Sequence, residues 1–225
     1  MIQGVLFDMD GVLLNTERLG RSIYLQACAE AGYPRMDEQR YERLLGRPRE
    51  EDCRLMLEMM GPDFPFDRVY DLYRARLVAL VLSDVDATKP GLHACMQGLK
   101  QRGMRIALAT STARDVVEQY IAHIPAMQQV FDTVVCGTEA GRGKPAPDIY
   151  LEAARRLGLP PQQCAGVEDS IAGLQSLTAA GCVRVMIPDL LPCDRRVAGL
   201  VDHQLQSLDQ LPALIDRLNL NARVK

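Results

Sequence analysis

The chain has 225 residues, with 26 Lys and Arg against 29 Asp and Glu and a formal net charge of −3. This length suits one domain, or one domain with a smaller insertion, and the charge balance indicates no basic surface for nucleic acid or an anionic membrane. No apolar run approaches the roughly 18 residues that span a bilayer, and the N-terminus lacks the pattern of a signal peptide. We therefore expect a cytoplasmic monomer that binds neither nucleic acid nor membrane.

The first predicted element is a strand over residues 2–7. Its apolar run GVLF is typical of a strand that is buried on both faces of a parallel sheet. Asp8 and Asp10 follow at once, and residues two apart in an extended chain point to the same side. Two carboxylates in one small space repel each other unless a cation lies between them. Although an isolated D-x-D is often only an acidic turn, this stretch predicts a cation site or a reaction centre.

The composition then changes twice along the chain. Residues 15–68 contain no Val, one Ile and one Thr but many Leu, Met, Glu, Arg and Ala, which favours helices. From about Thr88, short apolar runs alternate with helical stretches, as in right-handed βαβ units. We therefore predict an α/β fold whose Rossmann-like, doubly wound parallel-sheet core comprises residues 1–14 and 89–225, with an all-helical insertion at residues 15–88.

Polar residues that follow the predicted strands form the candidate site, because open α/β sheets bind ligands beyond the C-terminal ends of their strands. In chain order they are Asp8, Asp10, Thr110, Ser111, Lys144, Glu168 and Asp169. Each alone has an ordinary explanation, such as a helix cap or a solvated loop charge. Together they supply hard oxygen ligands for Mg²⁺ and donors for an anion, which are the groups that phosphoryl transfer requires.

Four segments, DMDGVLLNTE, ALATS, GKPAPDIY and GVEDSIAG, resemble in order and interval the four motifs of the haloacid dehalogenase-like superfamily. The chain is most similar to the subgroup of β-phosphoglucomutase and small sugar-phosphate phosphatases, and the resemblance covers nearly its whole length. The helical insertion corresponds to that subgroup's cap domain. The resemblance implies a Mg²⁺-dependent enzyme that acts on a small phosphorylated metabolite of the sugar phosphate type through an aspartyl-phosphate intermediate.

The resemblance also implies a role for each core residue. Asp8 would attack phosphorus, while Asp10 would protonate the leaving alkoxide and then deprotonate the attacking water. Thr110 and Lys144 would hold the transferring phosphoryl oxygens, and Ser111 would contact the substrate beside them.

The implied Mg²⁺ ligands are Asp8, the backbone carbonyl of Asp10, and Asp169. Glu168 would be either a further ligand or a hydrogen-bonding partner of the ligands.

In the insertion, Arg49 is the predicted substrate contact, because a guanidinium binds a second phosphate or a carboxylate through two parallel bonds. The alternative is that Arg47 and Arg49 only form surface ion pairs with the acidic residues that follow them.

Several reactions of the superfamily can be weighed on particular residues. Superfamily members that catalyse dehalogenation lack the second aspartate, and those that cleave phosphonates need a cap lysine. This chain has Asp10 and no lysine between residues 15 and 88. A phosphatase, a phosphosugar mutase and a non-catalytic phosphate-binding protein remain. Gly20 and Leu45 stand where the mutase-like relatives have a cap His and Lys that protect the phosphoenzyme, so we favour hydrolysis, unless another cap residue such as Arg76 substitutes for them.

Overall fold

A parallel sheet forms the centre of the computed structural model, which describes residues 1–45 and 49–223 apart from the side chains of residues 138 and 223. Within those ranges its strands are β1 (Gly4–Phe7), β2 (Arg105–Thr110), β3 (Thr133–Cys136), β4 (Cys164–Glu168), β5 (Val183–Met186) and β6 (His203–Gln204). Their order is β3-β2-β1-β4-β5-β6. This order reverses direction between β1 and β4, so the predicted doubly wound core is confirmed.

Strand β1 lies in the middle of the sheet, with β2 on one side and β4 on the other. All four of its residues are buried, which explains the unbroken apolar run. Val5 and Phe7 pack into the apolar cluster on one face and Leu6 into the cluster on the other. The chain that leaves β1 therefore emerges between the ends of its two neighbours, where the strand order reverses.

Nine helices flank or cover this sheet in the described ranges. The four that lie between β1 and β2 form the cap, namely α1 (Thr16–Glu30), α2 (Glu38–Glu42), α3 (Arg49–Met60) and α4 (Phe66–Val81). The other five belong to the core, namely α5 (Leu92–Gln101), α6 (Arg114–His123), α7 (Asp148–Leu157), α8 (Ile171–Ala180) and α9 (Leu211–Arg223). None of these helices is long and apolar enough to span a membrane.

The cap has an apolar core of its own, separate from the two clusters beside the sheet. Tyr24, Met56 and Phe66 are among its buried members. Helices α1 and α4 make the most extensive contact within it. Because most helical stability in proteins comes from such packing, the four helices support one another. Ile23 of α1 and Leu77 and Val81 of α4 also pack into an apolar cluster beside the sheet.

Two short linkers join the cap to the core and pair with each other. Leu14 forms an antiparallel bridge with Thr88. The amide of Asn15 donates to the carbonyl of Ala87 at 2.7 Å, and the amide of Lys89 donates to that of Leu13 at 2.8 Å. The division into residues 1–14 and 89–225 against residues 15–88 falls at this pairing and stays a prediction.

An ionic cluster around one buried aspartate also connects the cap to the core. The Asp189 side chain, after β5, is fully buried, and its Oδ1 accepts from Arg18 Nε of the cap at 2.6 Å and from Lys89 Nζ at 2.8 Å. The next residue, Leu190, packs against the apolar core of the cap. The loop after β5 therefore contacts both the linker and the cap.

Candidate active site

A cavity of about 710 Å³ lies between the C-terminal ends of the strands and the cap. The core contributes carboxylates, hydroxyls and an ammonium to its lining, including those of Asp8, Asp10, Ser111, Thr112, Lys144 and Asp169. The cap contributes acidic, aromatic and basic side chains, including those of Glu17, Tyr41, Arg49, Tyr70 and Tyr73. The residues predicted from four separate loops therefore meet at one site, with the cap as its opposite wall.

Lys144 connects two of the predicted carboxylates. Its ammonium is 3% exposed and lies 2.7 Å from Asp8 Oδ1 and 2.7 Å from Glu168 Oε1. Burial raises the pKa of Asp8 to about 7, against the attraction of Lys144 and with the repulsion of Glu168. Burial alone would lower the pKa of Lys144, but the two carboxylates raise it above its usual value, so the ammonium remains charged.

Glu168 is fully buried, and both of its carboxylate oxygens accept hydrogen bonds. Oε1 accepts from Lys144 and from the Tyr150 hydroxyl. Oε2 accepts from the amides of Asp169 and Ser170, at 3.2 and 3.3 Å, and from the Ser170 hydroxyl at 3.1 Å. This arrangement fixes the carboxylate that holds Lys144 in place.

Three buried carboxylates could hold a cation at this site. One oxygen from each of Asp8, Glu168 and Asp169 lies within 4.8 Å of the others. Burial, together with the charges of Glu168 and Asp8, raises the pKa of Asp169 well above its usual value. One ammonium cannot neutralise three clustered carboxylates, and hard oxygen ligands suit a divalent ion such as Mg²⁺. The residues present therefore fit the predicted metal.

Gly11 makes room for this cluster. Its φ is +76°, and a Cβ built on it would lie 2.1 Å from Asp169 Oδ2. Any other residue would combine an unfavourable backbone conformation with a collision against a predicted metal ligand. The glycine of the DMDG stretch thus lets the chain after β1 pass directly beside the chain after β4.

Asp10 is held differently from Asp8. Its Oδ1 accepts from the Thr16 hydroxyl and its Oδ2 from the Thr112 hydroxyl, each at 2.6 Å. Thr16 is the first residue of cap helix α1, whereas Thr112 belongs to the core loop between β2 and α6. The two aspartates therefore share the cavity but have different partners.

The predicted hydroxyl residues after β2 lie at different depths. Thr110 is fully buried, its Oγ1 accepts from the Thr112 amide at 3.1 Å, and it is not part of the cavity lining. Ser111 and Thr112 do line the cavity. The sequence reasoning missed Thr112, whose only signal was its place in the hydroxyl run TST.

Arg49 lines the cavity but already has partners. Its Nη2 lies 2.6 Å from Asp67 Oδ1, and its guanidinium lies 5.4 and 5.0 Å from the ring centroids of Phe66 and Tyr70. Arg49 thus has the predicted cavity position, and this ion pair is with Asp67 of α4, whereas the alternative named the acidic residues that directly follow Arg49. Its contact with substrate stays a prediction. The other arginine of that alternative, Arg47, lies outside the described residues.

Tyrosines fill the space beside Gly20. A Cβ at Gly20 would lie 2.8 Å from the Tyr73 hydroxyl and 3.2 Å from that of Tyr41. The Tyr41 hydroxyl donates to Glu17 Oε2 at 3.3 Å, and burial and the charge of Asp10 raise the pKa of Glu17 to about 8. The sequence reasoning did not identify these three cap residues.

Arg76, considered above as a substitute for the missing cap His and Lys, forms a bidentate pair with Glu30 on the surface and is not part of the cavity lining.

Comparison with known proteins agrees with this geometry. A family model described as haloacid dehalogenase-like hydrolase matches residues 2–181. Protein CbbY of Rhodobacter capsulatus is 33% identical over 94% of this chain and 99% of its own length. A phosphorylated carbohydrates phosphatase of Thermotoga maritima is 29% identical over 82% of this chain and 84% of its own length.

Solved structures are similar as well. A CbbY variant of Rhodobacter sphaeroides in complex with xylulose-(1,5)-bisphosphate is 30% identical, with a TM-score of 0.78 over 94% of this chain and 96% of the other. A β-phosphoglucomutase of Clostridium difficile, at 21% identity, shares the fold with a TM-score of 0.81 over 100% and 99%. The motifs, the capped α/β fold and the family match lead to one conclusion: the chain belongs to the haloacid dehalogenase-like hydrolases.

Proposed function

We propose that the protein is a Mg²⁺-dependent phosphatase that hydrolyses a small phosphorylated metabolite of the sugar phosphate type through an aspartyl-phosphate on Asp8. The observation that carries this proposal is the buried cluster in which Lys144 contacts Asp8 and Glu168 beside Asp169. A dianionic phosphate approaches a carboxylate only where positive charge compensates both, and the cluster provides such a place.

In the first step Asp8 attacks phosphorus and the ester oxygen leaves. Lys144 holds the Asp8 carboxylate and supplies positive charge for the phosphoryl oxygens. Asp8, Asp169 and the carbonyl of Asp10 would hold Mg²⁺, which when bound neutralises charge on the phosphoryl group. We assign Glu168 to positioning Lys144, because both of its oxygens already accept hydrogen bonds.

In the second step water hydrolyses the aspartyl-phosphate. Asp10 donates its proton to the leaving alkoxide in the first step and then accepts a proton from water in the second, so one carboxyl group serves both displacements. Ser111 lines the cavity and offers a donor to the phosphoryl oxygens. Thr110 is buried outside the cavity lining and supports the loop by accepting a hydrogen bond from the Thr112 amide.

The cap wall favours a polyhydroxylated substrate. Glu17, Tyr41 and Tyr73 present polar groups opposite the catalytic aspartates, and Arg49 is positioned to take a second anionic group if it leaves Asp67. A cavity of about 710 Å³ falls in the range of small-molecule sites. One relative named for phosphorylated carbohydrates and another bound to a sugar bisphosphate support the same substrate class.

Hydrolysis of the aspartyl-phosphate is favoured over the mutase reaction, in which the phosphoryl group is returned to another position of the sugar. The cap segment has neither a His nor a Lys, and tyrosine hydroxyls occupy the space at Gly20. Arg76 is held by Glu30 outside the cavity. Water therefore competes freely for the aspartyl-phosphate. The non-catalytic alternative is disfavoured because Asp8, Asp10 and Lys144 are all present.

A panel assay tests the proposal. The protein is incubated with ribose 5-phosphate, glucose 6-phosphate, glycerol 3-phosphate, ribulose 1,5-bisphosphate and p-nitrophenyl phosphate, with Mg²⁺ or with EDTA. We expect metal-dependent phosphate release, and loss of several orders of magnitude in Asp8→Asn, which is nearly isosteric but a poor nucleophile. Wild-type rates in Asp8→Asn would contradict the proposal, as would conversion of β-glucose 1-phosphate to glucose 6-phosphate, with a bisphosphate primer, faster than phosphate release.

A further inference from the structure

We propose that Thr112 is a positioning residue that holds the Asp10 carboxylate in the orientation needed for proton transfer to the leaving oxygen. This inference rests on the proposed phosphatase function and deepens it. It assigns a role to Thr112 of the loop after β2, whereas the sequence pattern indicates Thr110 and Ser111.

The contact itself is short and direct. Thr112 Oγ1 lies 2.6 Å from Asp10 Oδ2, although the two residues are 102 positions apart in the chain. The loop that carries Thr112 follows β2, and β2 pairs directly with β1, which carries Asp10 beyond its end. The sheet therefore fixes the distance between the two loops, and the hydroxyl reaches the carboxylate from within the core.

A second hydroxyl holds the same carboxylate from the cap. Thr16 Oγ1 lies 2.6 Å from Asp10 Oδ1, and Thr16 begins helix α1 immediately after the linker. Its position depends on where the cap lies. Thr112 does not depend on the cap, so it is the contact that can orient Asp10 whenever the site is assembled.

A hydroxyl suits this task because Asp10 must change its protonation state during the reaction. Thr112 can donate to the carboxylate and, after rotation of its hydroxyl, accept from the carboxylic acid. An arginine or a lysine could only donate. In the first step the Asp8–P bond forms as the P–O ester bond breaks. The proton moves from Asp10 to the departing oxygen, and the dephosphorylated product leaves as an alcohol. Thr112 gains and loses no proton.

Thr112 is anchored independently of Asp10. Its amide donates to Thr110 Oγ1 at 3.1 Å, and Thr110 is fully buried at the end of β2. The buried hydroxyl thus fixes the backbone of Thr112, and Thr112 fixes the catalytic carboxylate. This chain of contacts gives Thr110 a structural part in the site although it does not line the cavity.

The test compares two leaving groups. A sugar alkoxide needs a proton from Asp10 as it leaves, whereas p-nitrophenolate is a stable anion and leaves without one. The ratio kcat/KM covers only the steps up to formation of the phosphoenzyme, so later hydrolysis does not obscure the comparison. For Thr112→Val we expect kcat/KM to fall at least about tenfold on the fastest sugar phosphate of the panel and to change by less than about twofold on p-nitrophenyl phosphate. Thr112→Ser, which keeps the hydroxyl, should restore most of the loss.

Matched controls separate this role from a general structural one. Thr133→Val makes the same substitution at the first residue of β3, outside the cavity lining, and should leave both ratios unchanged. Equal losses on the two substrates in Thr112→Val, or a Thr112→Ser variant as slow as Thr112→Val, would overturn the inference. So would wild-type kinetics in Thr112→Val. Absence of phosphate release by the wild-type protein would instead overturn the proposed function, so the two failures are distinguishable.

Discussion

Replacing Lys144 by Met tests the buried cluster at the centre of the site. The substitution keeps most of the side-chain volume and removes the charge that lies 2.7 Å from both Asp8 and Glu168. At this separation each attraction amounts to about 6 kcal/mol with an effective dielectric constant of about 20, but the cost of burying the ammonium offsets much of it. The cost of leaving Asp8 or Glu168 without the ammonium is also limited, because either carboxylate can become neutral by taking up a proton. For a carboxyl of ordinary pKa this protonation costs about 5 kcal/mol at pH 8.

We therefore expect Lys144→Met to lower the free energy of unfolding by about 3–5 kcal/mol at pH 8, and by less at pH 6, where protonation of a carboxyl is easier. Urea denaturation in EDTA, followed by circular dichroism, measures the loss. Lys100→Met is the matched control, since Lys100 lies 3.5 Å from Asp132 on the exposed surface, and it should cost less than about 1 kcal/mol. Adding Glu168→Gln to Lys144→Met should recover part of the loss. A Lys144→Met variant as stable as Lys100→Met would refute the reasoning.

Three further predictions concern the metal, pH and the cap. Gly11→Ala should weaken Mg²⁺ binding at least tenfold in isothermal titration calorimetry, because its Cβ would collide with the carboxylate of Asp169, a proposed metal ligand. Gly32→Ala, also at positive φ but with nothing within 4 Å, should bind Mg²⁺ as the wild type does. Because the pKa of Glu17 is raised from 4.5 to about 8 in the folded state, the folded protein binds an extra proton between these values, and its stability in EDTA should fall as pH rises from about 5 to 8. Glu17→Gln should reduce the slope of the unfolding free energy against pH. An unchanged slope would contradict the raised pKa of Glu17. Arg49→Ala should reduce kcat/KM on a sugar bisphosphate at least tenfold more than on the corresponding monophosphate; equal effects would assign Arg49 to its surface pair with Asp67.

The core of the site was predictable because strand ends have a fixed geometry. The apolar run before Asp8 predicts a central strand, and the ends of parallel strands meet at one edge of the sheet, so the sequence brings Asp8, Lys144 and Asp169 together without any knowledge of side-chain contacts. The same argument does not predict depth. Thr110 ends β2 as expected, yet its side chain is buried outside the cavity lining, whereas Thr112, two residues later, lines the cavity.

The cap wall was much less predictable, because it depends on how helices pack. Helical composition predicts the insertion but not which faces of α1 and α4 meet. The contact of Tyr73 with Gly20 follows from that packing, and the pair of Arg49 with Asp67 joins two helices whose relative position no local pattern specifies. Spacing along one helix predicts neighbours on that helix, whereas contacts between helices need the tertiary structure.

The paired linkers bring the two ends of the cap together where the cap joins the core. Leu14 and Thr88 are direct neighbours, so the polypeptide returns to the point from which it departs. A tight turn spliced between Leu14 and Thr88 could close the core without the cap, since antiparallel neighbours can be joined by as few as two residues. By the same reasoning a different cap with equally close ends could be grafted there while the sheet and the loops after its strands keep their places. Such a joint allows the cap to change while the loops that carry the candidate site residues stay the same.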